Sequence, residues 1–185
     1  LLADMGAEVI KVEPPDGDTL RQWPPITDGY SENFAALNRN KKSVVLDLKD
    51  AAAAGTARRL VLDCDVVVEN NRPGVMDRLG CGYESIAARN PRIVYGAIRG
   101  FGDPRTGESP YKDWPAFDIV AQSMGGLVSI NGPASPTGYP AGASVGDLYP
   151  GTLLALGVIA AVHEARRTGR GQFLDVGMYD AITFL

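Results

Sequence analysis

The chain has 185 residues, 45% hydrophobic and 22% charged, which suits one sizeable domain with a real core and excludes a disordered polypeptide. A net charge of −4 and a pI near 5.0 argue against a general binder of nucleic acid or anionic membrane, but leave room for a local basic pocket for an anionic small molecule. Two cysteines without metal-ligand spacing and a single histidine argue against a zinc site, so no metal is expected, and Cys64 and Cys81 read as buried thiols of a reducing compartment.

The opening Leu1 to Ile10 reads as a helix end, a stop at Gly6 and then a strand; without an initiator Met, it leads us to expect more chain before it. Short apolar, β-branched runs at Glu8–Val12, Ser43–Leu48, Val66–Glu69, Arg92–Ile98 and Phe173–Val176 predict strands. Helical patterns fall at Asp50–Asp63, Gly74–Leu79, Tyr83–Arg89, Phe117–Met124 and Leu148–Arg167, with Gly80, Gly125 and Gly169 near C-terminal ends. This alternation predicts an α/β fold with a Rossmann-like, mostly parallel sheet and flanking helices. Pro14 to Asp28, Gly100 to Trp114 and Asn131 to Gly146 are loops by composition, long enough to bind something or to join separated parts. Met178 to Leu185 is an apolar helical stretch without a C-cap, which suggests a longer polypeptide. No segment is read as reaching the roughly 20 apolar residues of a membrane span, and the opening lacks a basic region followed by an apolar core, so the protein is expected to be soluble and cytoplasmic.

The sharpest chemical candidate is Asp147, in Gly142-Ala143-Ser144-Val145-Gly146-Asp147-Leu148-Tyr149-Pro150-Gly151. Small uncharged residues precede it, and Thr152 to Val162 then runs without a charge into His163, Glu164, Arg166 and Arg167. A carboxylate there meets unsatisfied N–H groups and the positive end of a helix dipole, which favour its ionised form. Asp is also a preferred N-cap, and most such residues only cap. As N-cap, however, Asp147 would find Pro150 at N3 with no N–H to donate, and would cap only through Tyr149. One oxygen would stay free, and an ionised, partly desolvated carboxylate can be a nucleophile. His163 lies sixteen residues further on, about 24 Å along a helix, and cannot serve as its base; a Ser-His-Asp hydrolase is excluded with it.

Ligands of open α/β sheets gather beyond the carboxyl ends of strands. The richest such turn is Glu69-Asn70-Asn71-Arg72-Pro73-Gly74, followed by a short helix with Arg78. Its backbone N–H groups, the Asn70 and Asn71 amides and the Arg72 and Arg78 guanidinium groups could converge on an anion, although a polar turn that only starts a helix has the same look. The cationic turn Asn38-Arg39-Asn40-Lys41-Lys42, before a strand, could hold phosphate through Asn40 and Lys41, and Arg21 is a lone loop guanidinium; charge of this kind is more often solvated surface. Neither a Gly-x-Gly-x-x-Gly after a strand nor a P-loop is present, which disfavours an ordinary NAD or ATP enzyme.

Six blocks in order resemble the family III CoA-transferases, the group that includes formyl-CoA transferase, carnitine CoA-transferase and α-methylacyl-CoA racemase. They are Leu2–Glu13, Asn38–Lys49, Asp65–Gly74, Phe117–Gln122, Val145–Asp147 and Thr168–Gln172, and together they span essentially the whole chain. The resemblance implies that Asp147 is the catalytic aspartate, which attacks an acyl-CoA thioester to give a mixed anhydride and free CoA thiolate, before CoA passes through an aspartyl-CoA thioester to an acceptor carboxylic acid. It places Asn70, Asn71 and Arg78 among CoA-contacting residues, with Arg72 beside them and Arg21, Asn40 and Lys41 as weaker candidates. Racemases of the group use a histidine beside the aspartate, at the position of Phe117 here, so transferase ranks above racemase and above a non-catalytic CoA-binding domain. The resemblance also implies that residues 1–185 are part of the family's large domain, without its N-terminal strand, small domain and return segment, and that the full-length protein is an interlocked homodimer.

Overall fold

The computed structural model describes residues 1–134 and 136–185. Its contacts divide the chain into two compact units, Leu1–Leu60 and Val61–Leu185. Both are mixed α/β units built on parallel strands with helices beside them, as the alternation of patterns predicts.

In the first unit, a 3₁₀ turn at Ala3–Met5 is closed by Gly6 at φ 97°, a left-handed conformation that explains the glycine stop. Strand β1 (Val9–Glu13) then pairs in parallel with β4 (Lys41–Val45), Val9 opposite Lys41 and Glu13 opposite Val45. Lys41 and Lys42 are therefore strand residues rather than a turn before the strand. Asn40, at φ 63°, makes the left-handed turn instead. Between the two strands lie a 3₁₀ turn at Thr19–Gln22, a short antiparallel hairpin of β2 (Ile26–Thr27) and β3 (Tyr30–Ser31), and α1 (Glu32–Asn38). Neither the hairpin nor α1 is legible in the hydrophobic pattern. Helix α1 starts because the Ser31 hydroxyl accepts the Phe34 N–H at 3.1 Å, an ordinary N-cap. Helix α2 (Ala51–Leu62) carries the chain into the second unit.

The second unit holds a three-stranded parallel sheet in the order β5 (Val66–Glu69), β6 (Val94–Arg99), β7 (Phe173–Gly177). Its helices are α3 (Val75–Arg78), α4 (Tyr83–Ala87), α5 (Asp118–Met124), α6 (Leu127–Ile130), α7 (Val145–Thr168) and α8 (Met178–Phe184). The core gathers on the central strand: Ile93, Val94 and Ala97 have no exposed surface, and Tyr95 stacks with Phe173 and meets Tyr83 edge-on. Helix α7 lies across β6, and Gly96 makes room for it, since a Cβ there would come within 3.0 Å of Leu154 Cδ1. Further along α7, Val162 and Ala165 meet Arg92, Val94 and Asp65 at the start of the strands, so the helix runs antiparallel to β6. Leu154 to Asp147 is seven residues, about 10 Å of helix, and Gly96 to Arg99 is three, about 10 Å of strand. The first turn of α7 therefore stands level with the carboxyl end of the sheet.

Two sequence expectations need correction. Helix α7 begins at Val145 with Ser144 as N-cap, so Asp147 is the third helical residue, and Pro150 lies inside the helix, buried. In addition, α7 is long and apolar enough to cross a membrane by length and composition, although no such segment was expected; the same test is passed by core helices, and α7 packs on β6, β7, α5 and α8. Of the two cysteines, Cys81 is buried and Cys64 only half-buried, with its thiol pushed up by burial and by the flanking Asp63 and Asp65.

The polar core of the first unit is Glu13, 2% exposed. Its carboxylate accepts Arg21 Nε at 2.7 Å and Nη2 at 2.8 Å, the Ser43 hydroxyl at 2.7 Å and the Asp18 N–H at 3.0 Å. Arg21 also lies over the Phe34 ring, 3.9 Å from its centroid. These donors, the Arg21 pair foremost, hold the Glu13 carboxyl down at about 2 against an ordinary 4.5. A depressed carboxyl contributes stability that is present above the unfolded value and lost as pH falls through the folded one. Arg21→Ala should therefore destabilise the protein at neutral pH by about 1.5–3 kcal/mol. In urea unfolding followed against pH, the gap between parent and variant should close as pH falls from about 4.5 to about 2; a gap independent of pH would contradict this assignment.

Candidate active site

Asp147 sits in the first turn of α7, exposed, and its carboxylate makes no hydrogen bond or ion pair among the described residues. It does not cap the helix. That work falls to Asp118, the first residue of α5, whose Oδ1 accepts the Gly146 N–H at 2.7 Å. The other oxygen, Oδ2, accepts from Gln122 Nε2 at 2.8 Å, and Gln122 Oε1 in turn accepts the Ala141 N–H at 2.8 Å. Gln122 has no exposed surface. A buried amide with both ends satisfied thus ties α5 to the strand of loop that delivers Gly146 and Asp147.

The approach of α5 to α7 requires a glycine at 146. A Cβ there would lie 2.6 Å from the Asp118 carbonyl oxygen and 3.0 Å from Asp118 Oδ1. Pro150 contributes at the same end: without an N–H, it leaves the Gly146 carbonyl without its donor one turn ahead. Crowding by protein atoms and, second, the negative charge of Asp118 push the Asp147 carboxyl above its ordinary value. The helix dipole alone would favour the ionised form; with this crowding and Asp118 in place, the net shift is upward.

The Asn70–Arg78 turn follows β5 at the same carboxyl edge. Asn70, Asn71, Arg72 and Arg78 are all exposed, and Arg72 and Arg78 are in no ion pair among the described residues. Gly74, at φ 78°, starts α3 and lets the Arg78 guanidinium fold back over the turn, where a Cβ on Gly74 would be 3.4 Å from Nη1. Beneath the turn, Glu69 is buried, accepts the Asn71 N–H at 2.7 Å and pairs with Arg99 Nη2 at the end of β6. Helix α3 is held from outside by Arg105, whose guanidinium reaches Asp77 at 3.0 Å, Glu84 at 2.8 Å and Asp103 at 3.2 Å.

Arg21, Asn40 and Lys41 belong to the first unit. Arg21 is engaged by Glu13 as described. Asn40 Nδ2 donates to Asp4 at 2.9 Å, and Lys41 Nζ donates to Asn38 Oδ1 at 3.0 Å, its ammonium depressed by burial and then by Lys11. His163 is exposed on α7, as expected of a surface histidine. No group of three or more His, Cys, Asp or Glu side chains is placed to hold a metal ion among the described residues.

Sequence reasoning passed over Asp118, Gln122, Arg99 and Arg105. A signal existed for the first two: they stand four residues apart at a helix start in an otherwise apolar stretch, the spacing at which helical side chains meet. For Arg99 and Arg105 the sequence offers only Asp103 nearby, four and two residues away, while their other partners Glu69, Asp77 and Glu84 lie 21 to 30 residues away.

The chain matches the family model "CoA-transferase family III" over residues 1–185. It is 46% identical over 190 residues to a succinyl-CoA:mesaconate CoA-transferase of Haloarcula hispanica, covering 100% of this chain and 48% of that protein. It is 41% identical over 182 residues to an acetyl-CoA:oxalate CoA-transferase of Acetobacter aceti, covering 97% and 46%. Among solved structures, a CAIB/BAIF family protein from Brucella suis superposes with a TM-score of 0.91 at 34% identity, covering 100% of this chain and 49% of the other. The chain spans about half the length of the curated relatives it matches. On the match of the whole chain and on these relatives, it belongs to CoA-transferase family III.

Proposed function

We propose that this chain carries the nucleophile of an enzyme that moves CoA from an acyl-CoA to a carboxylic acid, and that the nucleophile is Asp147. The observation that carries the reading is an unpartnered carboxylate in the first turn of a core helix, level with the carboxyl edge of a parallel sheet. Its capping duty is taken by Asp118, which leaves both Asp147 oxygens for chemistry. The relatives named above are CoA-transferases, which fits.

In this reading, Asp147 attacks the thioester carbonyl; the C–S bond breaks, CoA leaves as thiolate, and a mixed anhydride remains. The thiolate attacks the aspartyl carbonyl, releasing the donor acid as carboxylate and forming an aspartyl-CoA thioester. The acceptor carboxylate attacks the aspartyl-CoA thioester carbonyl, the C–S bond breaks to release the thiolate and a second mixed anhydride forms; the thiolate then attacks the acceptor acyl carbonyl, giving acceptor acyl-CoA and restoring the Asp147 carboxylate. Covalent catalysis divides one hard exchange into easier ones. Arg72 and Arg78, exposed and free of ion pairs among the described residues, are suited to the phosphates of CoA, with Asn70 and Asn71 as amide donors beside them. Arg21, Asn40 and Lys41 would serve CoA only by exchanging or sharing their present partners.

A racemase would need a second acid or base next to Asp147. At the position where the resemblance puts the racemase histidine stands Phe117, 73% exposed and without an acid or base, and both oxygens of the following Asp118 are engaged. Transferase chemistry needs one carboxylate only. Residues 1–185 would then be part of the large domain of such an enzyme, cytoplasmic and homodimeric as a whole.

In the full-length protein, Asp147→Asn should abolish CoA exchange while CoA still binds, and incubation with an acyl-CoA panel followed by hydroxylamine should modify Asp147 in peptide mass spectrometry. Turnover retained in that variant would sink the proposal. Arg78→Ala should raise KM for acyl-CoA about tenfold or more, the value of one charge-assisted hydrogen bond, with kcat changed less. Deuterium should not enter the α-position of a 2-methylacyl-CoA; rapid incorporation with Asp147 intact would move the assignment to racemase.

A further inference from the structure

We propose that Asp118 is a positioning residue for the nucleophile: with Gln122, it fixes the first turn of α7 and places a negative charge beside Asp147. The inference rests on the reading of Asp147 as nucleophile. Its geometry is independent of that reading. Asp118 Oδ1 holds the Gly146 N–H at 2.7 Å, one peptide before Asp147. Its Oδ2 is held by Gln122 Nε2, whose other end fixes Ala141. Gln122 is fully buried and cannot turn over without leaving two partners unmatched. The close fit of Gly146 on the Asp118 backbone removes the remaining freedom of the turn.

The arrangement differs from an ordinary cap. An N-cap hydroxyl would satisfy the same N–H without charge, and Ser144, the actual N-cap residue, makes no such bond. A carboxylate in that role adds a negative charge beside the nucleophile. Of the elements packed on α7, β6 ends in Arg99, β7 carries Asp175 and α8 carries Asp180; Asp118 on α5 is the group whose charge acts on Asp147. Crowding by protein atoms first and this charge second keep the Asp147 carboxylate more basic than an isolated aspartate, which strengthens it as an attacking group once ionised, while the Asp118 hydrogen bonds hold its turn in one place.

The test uses the full-length enzyme and reads the rate of acyl transfer to Asp147 in a single turnover, from an acyl-CoA that supports the adduct, across pH. In D118N, the cap can persist through the amide oxygen, but the amide nitrogen faces the Gln122 donor and the charge is gone. The rate should fall on the order of 10–100-fold, as a small misplacement of a reacting group costs. Removing a negative neighbour lowers the Asp147 value, so the acid limb of the profile should move to lower pH. D118N/Q122E restores a matched donor and acceptor between residues 118 and 122 and at the Gly146 and Ala141 N–H groups, giving up only the 3.5 Å bond from Gln122 Nε2 to the Ala143 carbonyl, and in a variant that melts cooperatively the rate should recover. Three results would overturn the proposal: a parent-like rate in D118N, a fall by one constant factor with the acid limb unmoved, or a folded D118N/Q122E that recovers nothing. Full turnover in Asp147→Asn reads differently, since it removes the nucleophile assignment itself and the proposal with it.

Discussion

The carboxyl edge of the sheet is organised by one buried cation. Arg99, 7% exposed at the end of β6, pairs with Glu69 at the end of β5, lies 3.3 Å from Asp103 in the following loop, and feels Asp175 on β7. A guanidinium taken out of water must be matched by carboxylates, and carboxylates this buried must be matched by it, so the three strands cannot slide without exposing a charge to an apolar interior. Asp175 Oδ2 extends the tie by accepting the Asp103 N–H at 2.7 Å and the Thr106 hydroxyl at 2.6 Å. Breaking any member leaves the others uncompensated. Two consequences follow for chemistry: the turn after β5 starts from a fixed point, and the long loop after β6 is anchored where it leaves the sheet.

That loop then reaches outward to α3 through Arg105. Arg105 joins Asp77, Glu84 and Asp103, and its guanidinium is held firmly charged by the Glu84 hydrogen bond first and by Asp77 next. Together, Arg99 and Arg105 are two cations among five carboxylates: Glu69, Asp77, Glu84, Asp103 and Asp175. Their neighbourhood is net acidic and spends its own arginines internally. A polyanion such as CoA would therefore find its attraction in Arg72 and Arg78, which stand outside the network. The acidic frame has a cost for phosphate binding and a benefit in rigidity, since the turn that presents these two arginines rests on Glu69 and on a helix pinned through Asp77.

Much of this was legible in the amino-acid order. The β-branched run Val66–Val68 gave β5 to the residue, and Gly6 and Gly169 mark left-handed ends because glycine, without a Cβ, enters that conformation at least cost. Asp147 drew notice as the one acid before a long uncharged run. What escaped was of two kinds. The hairpin and α1 are short and lack a clean period, so tertiary contacts and the Ser31 cap decide them rather than pattern. The helix start was misread by three residues because the cap comes from another helix. Asp118 sits 28 positions from the N–H it satisfies, and a rule about adjacent residues cannot see it. The same is true of Glu13 and Arg21, where a lone loop arginine proved to neutralise a buried acid eight residues away.

The transfer of the cap from Asp147 to Asp118 separates two demands that a single residue could not meet. A carboxylate that caps its helix gives lone pairs to N–H groups, which stabilises the anion and lowers its basicity. A nucleophile needs the opposite: unshared lone pairs and a raised proton affinity. Placing the acceptor on α5 lets the helix start be satisfied while the carboxylate three residues into α7 keeps both oxygens uncommitted. The residues around it follow from that division. Gly146 is needed because the helix that carries the acceptor must come within van der Waals reach of the turn, Gln122 because the borrowed carboxylate needs its own partner, and small uncharged residues before Asp147 because a further cation there would pair with it and end its basicity. The same physics that makes Asp147 look like an ordinary cap in the sequence leaves it, in the fold, an acid at the helix start without a hydrogen bond or ion pair among the described residues.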